Sequence, residues 1–184
     1  MRKIILSNEE IKGICKRIGK ELTIKFQDAP LPPIFIGVLK GGVPFLMDLV
    51  NEVDVPLVID FIQVESWSGL ESTGKVTLKR DLDSDITNRD IVIVEDVIDS
   101  GLSMQFLIDL LGKKNPRSIT VAALLDKKCA RKIPVQIDYA GTEVGNEFLM
   151  GYGLDYFDLF RNTNYVFVPD MDEVHHWDEI LKRK

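Results

Sequence analysis

The chain has few cysteines and no excess of positive charge, and each of these absences excludes a class of protein. Cys15 and Cys129 are the only cysteines in 184 residues, so a disulfide framework or cysteine metal site is not expected, and a reducing compartment fits. The net charge of −6 argues against a nucleic-acid binder with a broad basic face. The N-terminal apolar run, residues 4–6, is too short for a signal peptide or membrane span. These absences predict a cytoplasmic protein with neither nucleic-acid nor membrane partners.

Short apolar runs beyond residue 33 predict the fold class. They lie at 34–39, 56–62, 91–96 and 118–125, and they are apolar on both faces, as strands are when helices cover both sides of a parallel sheet. Between them, 45–50 and 103–111 can be helical. We therefore expect an α/β fold with a mainly parallel twisted sheet flanked by helices. Residues 1–184 are predicted to form one domain, with a core over about 30–170.

The two ends of the chain carry local signals of their own. Ser7 and Glu10 form a capping-box pattern that predicts the start of a helix. Apolar residues then recur at helical spacing: Ile11, Ile14, Cys15, Ile18 and Leu22. At the other end, residues 165–168 are strand-like and are expected to cap one edge. The adjacent His175 and His176 have no metal-ligand spacing, so they are assigned to a solvated tail.

Residues 66–75, SWSGLESTGK, are polar and rich in glycine, which predicts a long loop or hairpin and a candidate lid. Residues 69–76 nearly match the phosphate-binding pattern G-x-x-x-x-G-K-[ST]. However, Val76 replaces the hydroxyl residue that binds magnesium, and an alternating strand pattern follows where a helix is needed. The interpretation as an ATP-binding loop is therefore rejected in favour of a surface loop.

The segment IVIVEDVIDSGLS, residues 91–103, places three carboxylates beside a predicted phosphate loop. Residues 91–96 are predicted to form a buried strand whose carboxyl end carries Glu95 and Asp96, and ligands of open α/β sheets lie just beyond such ends. Residues 99–103 should wrap into the N-terminus of the next helix, whose free N–H groups hold a phosphate. In this loop Gly101 permits close approach, and two serines add hydroxyl donors. The predicted phosphate-binding residues are Asp99, Ser100, Gly101, Leu102 and Ser103.

The three acids, Glu95, Asp96 and Asp99, fit a ligand that is not uniformly anionic. Carboxylates at a strand end accept hydrogen bonds from ribose hydroxyls, and they also hold Mg²⁺ together with water and substrate phosphates. Asp99 could act as a general base or stabilise positive charge on a sugar. A phosphorylated ribose with a diphosphate and Mg²⁺ satisfies all three. The structural alternative is that these acids merely cap the following helix.

VEDVIDSGLS resembles the phosphoribosyl-diphosphate motif of type I phosphoribosyltransferases, and the surrounding chain is similar to the hypoxanthine-guanine branch of that family. The matching segments are LKGG (39–42), VEDVIDSG (94–101), LLDKK (124–128) and FLMGYGLDY (148–156), ending at Arg161. The resemblance implies the type I phosphoribosyltransferase fold, with a small hood built from the chain ends and a mobile lid loop. It also implies Mg²⁺-dependent transfer of a phosphoribosyl group to hypoxanthine or guanine, giving IMP or GMP and diphosphate, by a homodimer or homotetramer.

The resemblance also assigns roles around the sugar. It gives Glu95 and Asp96 to the ribose hydroxyls and the metal shell, and it makes Asp99 the catalytic base near N7 of the purine. Asp155 matches a further magnesium ligand. Arg161 matches a diphosphate contact, for which its bidentate fork is suited.

Two lysine-containing turns can each be interpreted, when taken alone, as ordinary surface structure. Lys40, Gly41 and Gly42 form either a small anion-binding turn or an ordinary glycine turn. The resemblance implies a diphosphate site with a cis peptide between Lys40 and Gly41. Lys127, with Lys128, would by itself be a solvated charge pair. The resemblance instead makes Lys127 the donor to O6 of the purine, which would favour 6-oxopurines over adenine.

The remaining implied contacts concern the base and the lid. Phe148 would by default be a packing residue, but the resemblance makes its ring stack on the purine while the Leu149 backbone contacts the base edge. In the lid, the family usually has Ser-Tyr where this chain has Ser66 and Trp67. Two alternatives stay open: a transferase for xanthine or adenine, and a non-catalytic phosphoribosyl-diphosphate sensor that regulates transcription or RNA.

Overall fold

The computed structural model describes residues 2–68 and 71–181, and for residues 66–68, 71–75 and 171 it describes the backbone only. The elements follow in the order β1 Lys3–Leu6, α1 Asn8–Phe26, β2 Ile34–Leu39, α2 Val43–Val50, β3 Val58–Ser68, β4 Glu71–Arg80, β5 Asp90–Ile98, α3 Leu102–Gly112, β6 Ser118–Asp126, a 3₁₀ turn Lys128–Ala130, β7 Tyr139–Glu143, β8 Val166–Val168 and α4 Met171–Leu181.

The main sheet has the strand order β4-β3-β2-β5-β6-β7 in the described part of the chain. All neighbouring pairs are parallel except β3 and β4, which confirms the predicted mainly parallel α/β fold. The chain passes from β2 outward to β3 on one side and later returns to lay β5 on the other side of β2. The crevice at the carboxyl ends of β2 and β5 is therefore the topological switch point, where ligands of open α/β sheets bind.

Helices cover both faces of the sheet, which explains the continuous apolar runs. On β5, Val92 and Val94 face the core that contains α1 and α2, whereas Ile91 and Ile93 face the core that contains α3. Successive side chains of a strand alternate between faces, so both sets must be apolar when both faces are buried.

Helix α1 begins where the capping box predicts. The amide of Glu10 donates to Ser7 Oγ at 3.3 Å, and the Glu10 carboxylate accepts from the Ser7 amide at 2.8 Å. Of the residues predicted for its apolar face, Ile11, Cys15, Ile18 and Leu22 are buried, while Ile14 is partly buried against the same core.

The C-terminal segment differs from its prediction. Strand β8 does not cap an edge of the main sheet; it pairs antiparallel with β1 in a separate two-stranded sheet built from both chain ends. The predicted solvated tail is the helix α4, in which Trp177 packs against a small aromatic cluster around Phe167. The apolar residues of α4 that pack against this cluster, Val174 and Trp177, are too few to predict a helix in a segment of such acidic composition.

Residues 66–68 and 71–75 lie in the antiparallel strands β3 and β4, which pair up to Ser68 and Glu71. Lys75 lies in strand β4 and not at the start of a helix, which agrees with the rejection of the ATP-binding loop. Residues 69 and 70, at the centre of the predicted lid, lie outside the described residues.

Two further differences concern strand boundaries. Strand β5 continues to Ile98, two residues beyond the predicted strand 91–96, and Glu95 and Asp96 lie within it near its carboxyl end. Strand β7, a short segment with half-buried side chains, was not predicted because it lacks an apolar run. No helix in residues 2–68 and 71–181 has the length and apolar character needed to cross a bilayer.

Replacement of Ser7 by alanine should test the start of α1. The variant removes the side-chain acceptor of the capping box, so the free energy of unfolding should fall by about 1 kcal/mol in chemical denaturation. Ser7→Thr keeps the hydroxyl and should retain most of that stability. Equal stability of Ser7→Ala and the wild type would contradict this role.

Candidate active site

A cleft of about 930 Å³ opens at the carboxyl ends of β2, β5 and β6. Its size suits a nucleotide-sized ligand. Most of the predicted site residues line it: Lys40, Gly41, Glu95, Asp96, Asp99, Ser100, Gly101, Leu102, Ser103, Lys127, Phe148, Leu149, Asp155 and Arg161. Segments that are up to about 120 residues apart in sequence therefore meet at the switch point.

Among the predicted site residues that the structure describes in full, Gly42 is the one that does not line the cleft. Gly42 begins α2 behind the site, where a Cβ would lie 2.8 Å from the Val94 carbonyl oxygen, so it serves close packing of the turn on β5. Ser66 and Trp67 belong to the hairpin whose side chains lie outside the described residues. At the base of that hairpin, Val64 and Glu65 do line the cleft.

The predicted phosphate loop has the geometry of an open helix N-terminus. Gly101 precedes α3 with φ of 85°, in the left-handed region that glycine adopts without a steric penalty. Gly101, the N-cap residue, has no side chain to cap the helix; the Leu102 amide donates weakly to Ser100 Oγ at 3.4 Å, and residues 101–104 line the cleft. The amides of a helix N-terminus, together with the positive end of the helix dipole, bind phosphate without a lysine.

Glu95 and Asp96 are adjacent acids at the floor of the cleft. Burial raises the pKa of Glu95 well above its ordinary value, and the neighbouring Asp96 carboxylate raises it further. Burial also raises the pKa of Asp96, against the lowering effects of the Glu95 side chain, the Val97 amide and the more distant Arg161 charge. Two crowded carboxyl groups therefore share a site that favours a cation or several hydroxyl donors.

The glycine turn after β2 packs directly on these acids. A Cβ on Gly41 would lie 1.9 Å from Asp96 Oδ2, so only glycine allows the turn to approach the carboxylate this closely. The non-proline cis peptide joins Leu39 to Lys40, one bond before the Lys40–Gly41 bond for which it was predicted. The motif LKGG predicts the turn, but the backbone geometry of the folded turn decides which of its peptide bonds is cis.

Asp99 lies beside Lys127 in the cleft. Asp99 Oδ1 is 3.3 Å from Lys127 Nζ, and it accepts no aligned hydrogen bond within the described part of the chain. Lys127 is only 11 % exposed, so it is not the solvated lysine that its sequence context alone would indicate. A carboxylate acceptor and a cationic donor thus stand side by side, each with capacity for a ligand.

Arg131 holds this part of the cleft in place and was missed by sequence reasoning. Its guanidinium donates to the Asp99 carbonyl at 2.9 Å and to the Ile98 carbonyl at 3.1 Å, and it pairs with buried Asp126 at 2.5 Å. The arginine therefore ties the phosphate loop to the end of β6. The available signal was Asp126 itself, because an acid at the end of an apolar strand needs a partner when buried.

The ring of Phe148 is 51 % exposed at the cleft. It contacts Tyr156 edge to face, with ring centroids 6.0 Å apart. The Tyr156 hydroxyl donates to Asp178 of α4, and burial together with this bond raises the Tyr156 pKa to about 12. The C-terminal helix therefore supports the aromatic wall of the cleft, a role not predicted for the tail.

Arg161 and Asp155 form the opposite wall. Arg161 pairs with Asp155 at 2.8 Å and donates to the Gly153 carbonyl at 2.6 Å. Asp155 Oδ2 also accepts from the Asp158 amide at 2.7 Å. This wall therefore presents a well-anchored guanidinium near the Lys40 turn.

Comparison with known proteins agrees with this geometry. Residues 1–156 match the family model of the phosphoribosyl transferase domain. The hypoxanthine-guanine phosphoribosyltransferase of Bacillus subtilis is 42 % identical over 167 residues, which cover 90 % of this chain and 92 % of that protein. The chain belongs to the hypoxanthine-guanine phosphoribosyltransferase family.

Solved structures of family members share the fold. A hypoxanthine phosphoribosyltransferase from Staphylococcus aureus superimposes with a TM-score of 0.86 at 37 % identity, covering 92 % of each chain. The Trypanosoma cruzi hypoxanthine phosphoribosyl transferase gives 0.87 at 33 % identity, covering 97 % of this chain and 95 % of that one. The predicted membership of this transferase family is thereby confirmed.

The donor set of the phosphoribosyltransferase cleft is compatible with the magnesium that the resemblance implies. In residues 2–68 and 71–181, no three acidic, histidine or cysteine side chains converge on one point. Magnesium in phosphate-handling sites usually binds one or two carboxylates and completes its shell with water and substrate oxygens. The crowded pair Glu95 and Asp96, with raised carboxyl pKa values, suits such a partial set.

Replacement of Glu95 by glutamine should stabilise the magnesium-free protein at neutral pH. The raised folded-state pKa means that the wild type is most stable below the ordinary pKa of 4.5 and loses stability as the pH rises through the folded-state value. The Glu95→Gln variant avoids that loss, so its melting temperature should exceed that of the wild type by a margin that grows with pH. Each kcal/mol of difference in the free energy of unfolding should raise it by about 2–4 °C.

Glu143→Gln is the matched control, because Glu143 is an exposed acid at the end of β7 that pairs with Lys128. Its melting temperature, measured by calorimetry from pH 4 to pH 8, should not gain on the wild type as the pH rises. If Glu95→Gln behaves like this control, the acid pair is not the destabilising contact described above.

Proposed function

We propose that the protein transfers the 5-phosphoribosyl group of phosphoribosyl diphosphate to N9 of hypoxanthine or guanine, giving IMP or GMP and diphosphate, in a Mg²⁺-dependent purine-salvage reaction. The observation that carries the proposal is the convergence of the N-terminus of α3, an acid pair and the Asp99–Lys127 pair on one cleft. Family membership supports the same reaction class.

The sugar phosphate would lie along β5 and its following loop. The open N-terminus of α3 would hold the 5′-phosphate, with Ser100 and Ser103 as further donors. Glu95 and Asp96 would accept hydrogen bonds from the ribose hydroxyls. Lys40 and Arg161 would hold the diphosphate. Bound Mg²⁺, held by Glu95, Asp96 and Asp155, would supply neutralisation of the diphosphate charge.

The purine would lie between Phe148 and the Asp99–Lys127 pair. Lys127 would donate to O6, and Asp99 would face N7, which is the neighbouring acceptor on the same edge of the base. The 3.3 Å separation of the two side-chain atoms suits contact with two adjacent ring substituents. The half-exposed Phe148 ring would stack on the base, and the Leu149 backbone would contact its edge.

The reaction forms the bond from N9 to C1′ and breaks the bond from C1′ to the diphosphate oxygen, whose electron pair leaves with diphosphate. The base must also lose a proton. Asp99 would accept it at N7 or would stabilise the positive charge that develops as the old bond breaks. Arg131 would position Asp99 through its backbone carbonyl without touching the substrates.

The proposal includes the surroundings of the reaction. The hairpin around residues 66–75 would act as a lid that excludes water from the sugar cation, and the paired chain ends would form the hood beside the base. A cytoplasmic homodimer or homotetramer acting on small molecules is the expected setting.

Diphosphate release with four purines tests the proposed reaction. The full chain is incubated with phosphoribosyl diphosphate and hypoxanthine, guanine, xanthine or adenine, with and without Mg²⁺. Hypoxanthine and guanine should release diphosphate in the presence of Mg²⁺, and adenine should not, because its amino group and Lys127 are both donors. Diphosphate release with adenine alone or xanthine alone would reassign the base. Binding of phosphoribosyl diphosphate without diphosphate release would indicate a sensor.

Asp99→Asn should fold normally and lose turnover by about a hundredfold, within the range for removal of a general acid or base. Asparagine keeps the size of the side chain but cannot accept the proton. Steady-state kcat and the affinity for IMP should be measured together, since the affinity is expected to change little. An unchanged kcat would remove Asp99 from the mechanism.

A further inference from the structure

Asp158 forms an ion pair with both of the cations that face the proposed diphosphate position. Its Oδ1 lies 2.9 Å from Lys40 Nζ and 2.9 Å from Arg161 Nη2. A single carboxylate oxygen therefore bridges a lysine and an arginine that are 121 residues apart in sequence. The sequence motifs predict no role for Asp158.

The bridged residues lie in a recess of about 460 Å³ that shares Lys40 and Arg161 with the main cleft. Lys40 and Arg161 are paired with two carboxylates, Asp158 and Asp155, and the recess is also lined by Lys79 and Glu65, which pair with each other at 2.7 Å. Their formal charges cancel. In the free protein the two cations are therefore neutralised, although an anionic ligand would need them.

We propose that Asp158 is an internal counter-ion that holds the place of the diphosphate, and that the substrate must displace its carboxylate from Lys40 and Arg161 to bind. This inference rests on the proposed function, because it takes the diphosphate as the competing anion. Asp158 is thus a residue that sets affinity for the diphosphate group by opposing it.

The contacts of the two cations separate this role from simple positioning. Arg161 keeps its bonds to the Gly153 carbonyl and to Asp155 when Asp158 loses its charge. Lys40 has Asp158 as its ion-pair partner within residues 2–68 and 71–181, and it is 55 % exposed. Loss of the carboxylate would therefore leave Arg161 in place and release Lys40 for an incoming anion.

The variant can be chosen to preserve the loop. Asp158 has φ of 66°, in the left-handed region, where asparagine and glycine are the best-tolerated replacements. Asp158→Asn removes the charge at nearly constant size, and Asp158→Gly removes the side chain altogether. Asp83→Asn is the matched control, because Asp83 is also an exposed aspartate that pairs with an arginine three residues away.

Affinity for inorganic diphosphate is measured by titration calorimetry on the full chain at constant magnesium chloride. Asp158→Asn and Asp158→Gly should bind diphosphate about three- to tenfold more tightly than the wild type, as expected for loss of one or two exposed competing ion pairs. Asp83→Asn should bind within about twofold of the wild type.

Weaker or unchanged binding by both Asp158 variants, with measurable binding by the wild type, would overturn the inference and leave the proposed function standing. Weaker binding would show that Asp158 positions the cations. Absence of diphosphate binding in every protein, the wild type included, would overturn both the counter-ion role and the diphosphate site on which it rests.

Discussion

The close approach of the glycine turn after β2 to the acid pair of β5 is the constraint on which the site depends. Gly41 leaves room for the Asp96 carboxylate where any Cβ would collide with it. The contact occurs between adjacent parallel strands at the switch point of the sheet, so it brings the Lys40 turn, the two acids and the N-terminus of α3 to one crevice. Without it, the groups assigned to diphosphate, ribose and phosphate would not share a ligand.

The same crevice concentrates charge that the protein balances internally. Lys127 faces Asp99, Arg131 pairs with Asp126, and Asp158 bridges Lys40 and Arg161. An acidic protein can therefore offer cations to an anionic substrate locally while its overall charge stays negative. The acid pair Glu95 and Asp96 is the exception, because within the described residues neither carboxylate forms an ion pair, and burial keeps both pKa values raised despite the more distant Arg161 charge.

Much of the fold and most of the cleft could be predicted from the sequence because their signals are local. Apolar runs indicate strands buried on both faces, the capping box marks the start of α1, and the segment from Glu95 to Gly101 places acids and a phosphate loop in consecutive positions. Strand ends in a parallel sheet point to one edge, so motifs after different strands were expected to meet. Strand β7 and helix α4 were not predicted, since neither has a continuous apolar pattern.

The sequence, with the family resemblance that it carries, determined which residues are predicted for the site: the acids of β5, the turn at Lys40, Lys127 and Phe148. Only the tertiary structure decided how these residues are held and opposed. Arg131 reaches back to the Asp99 loop, and Asp158 closes on Lys40 across more than a hundred residues. Such contacts depend on where distant loops emerge from a packed sheet. The spacing of residues along the chain therefore does not show which partners folding brings together.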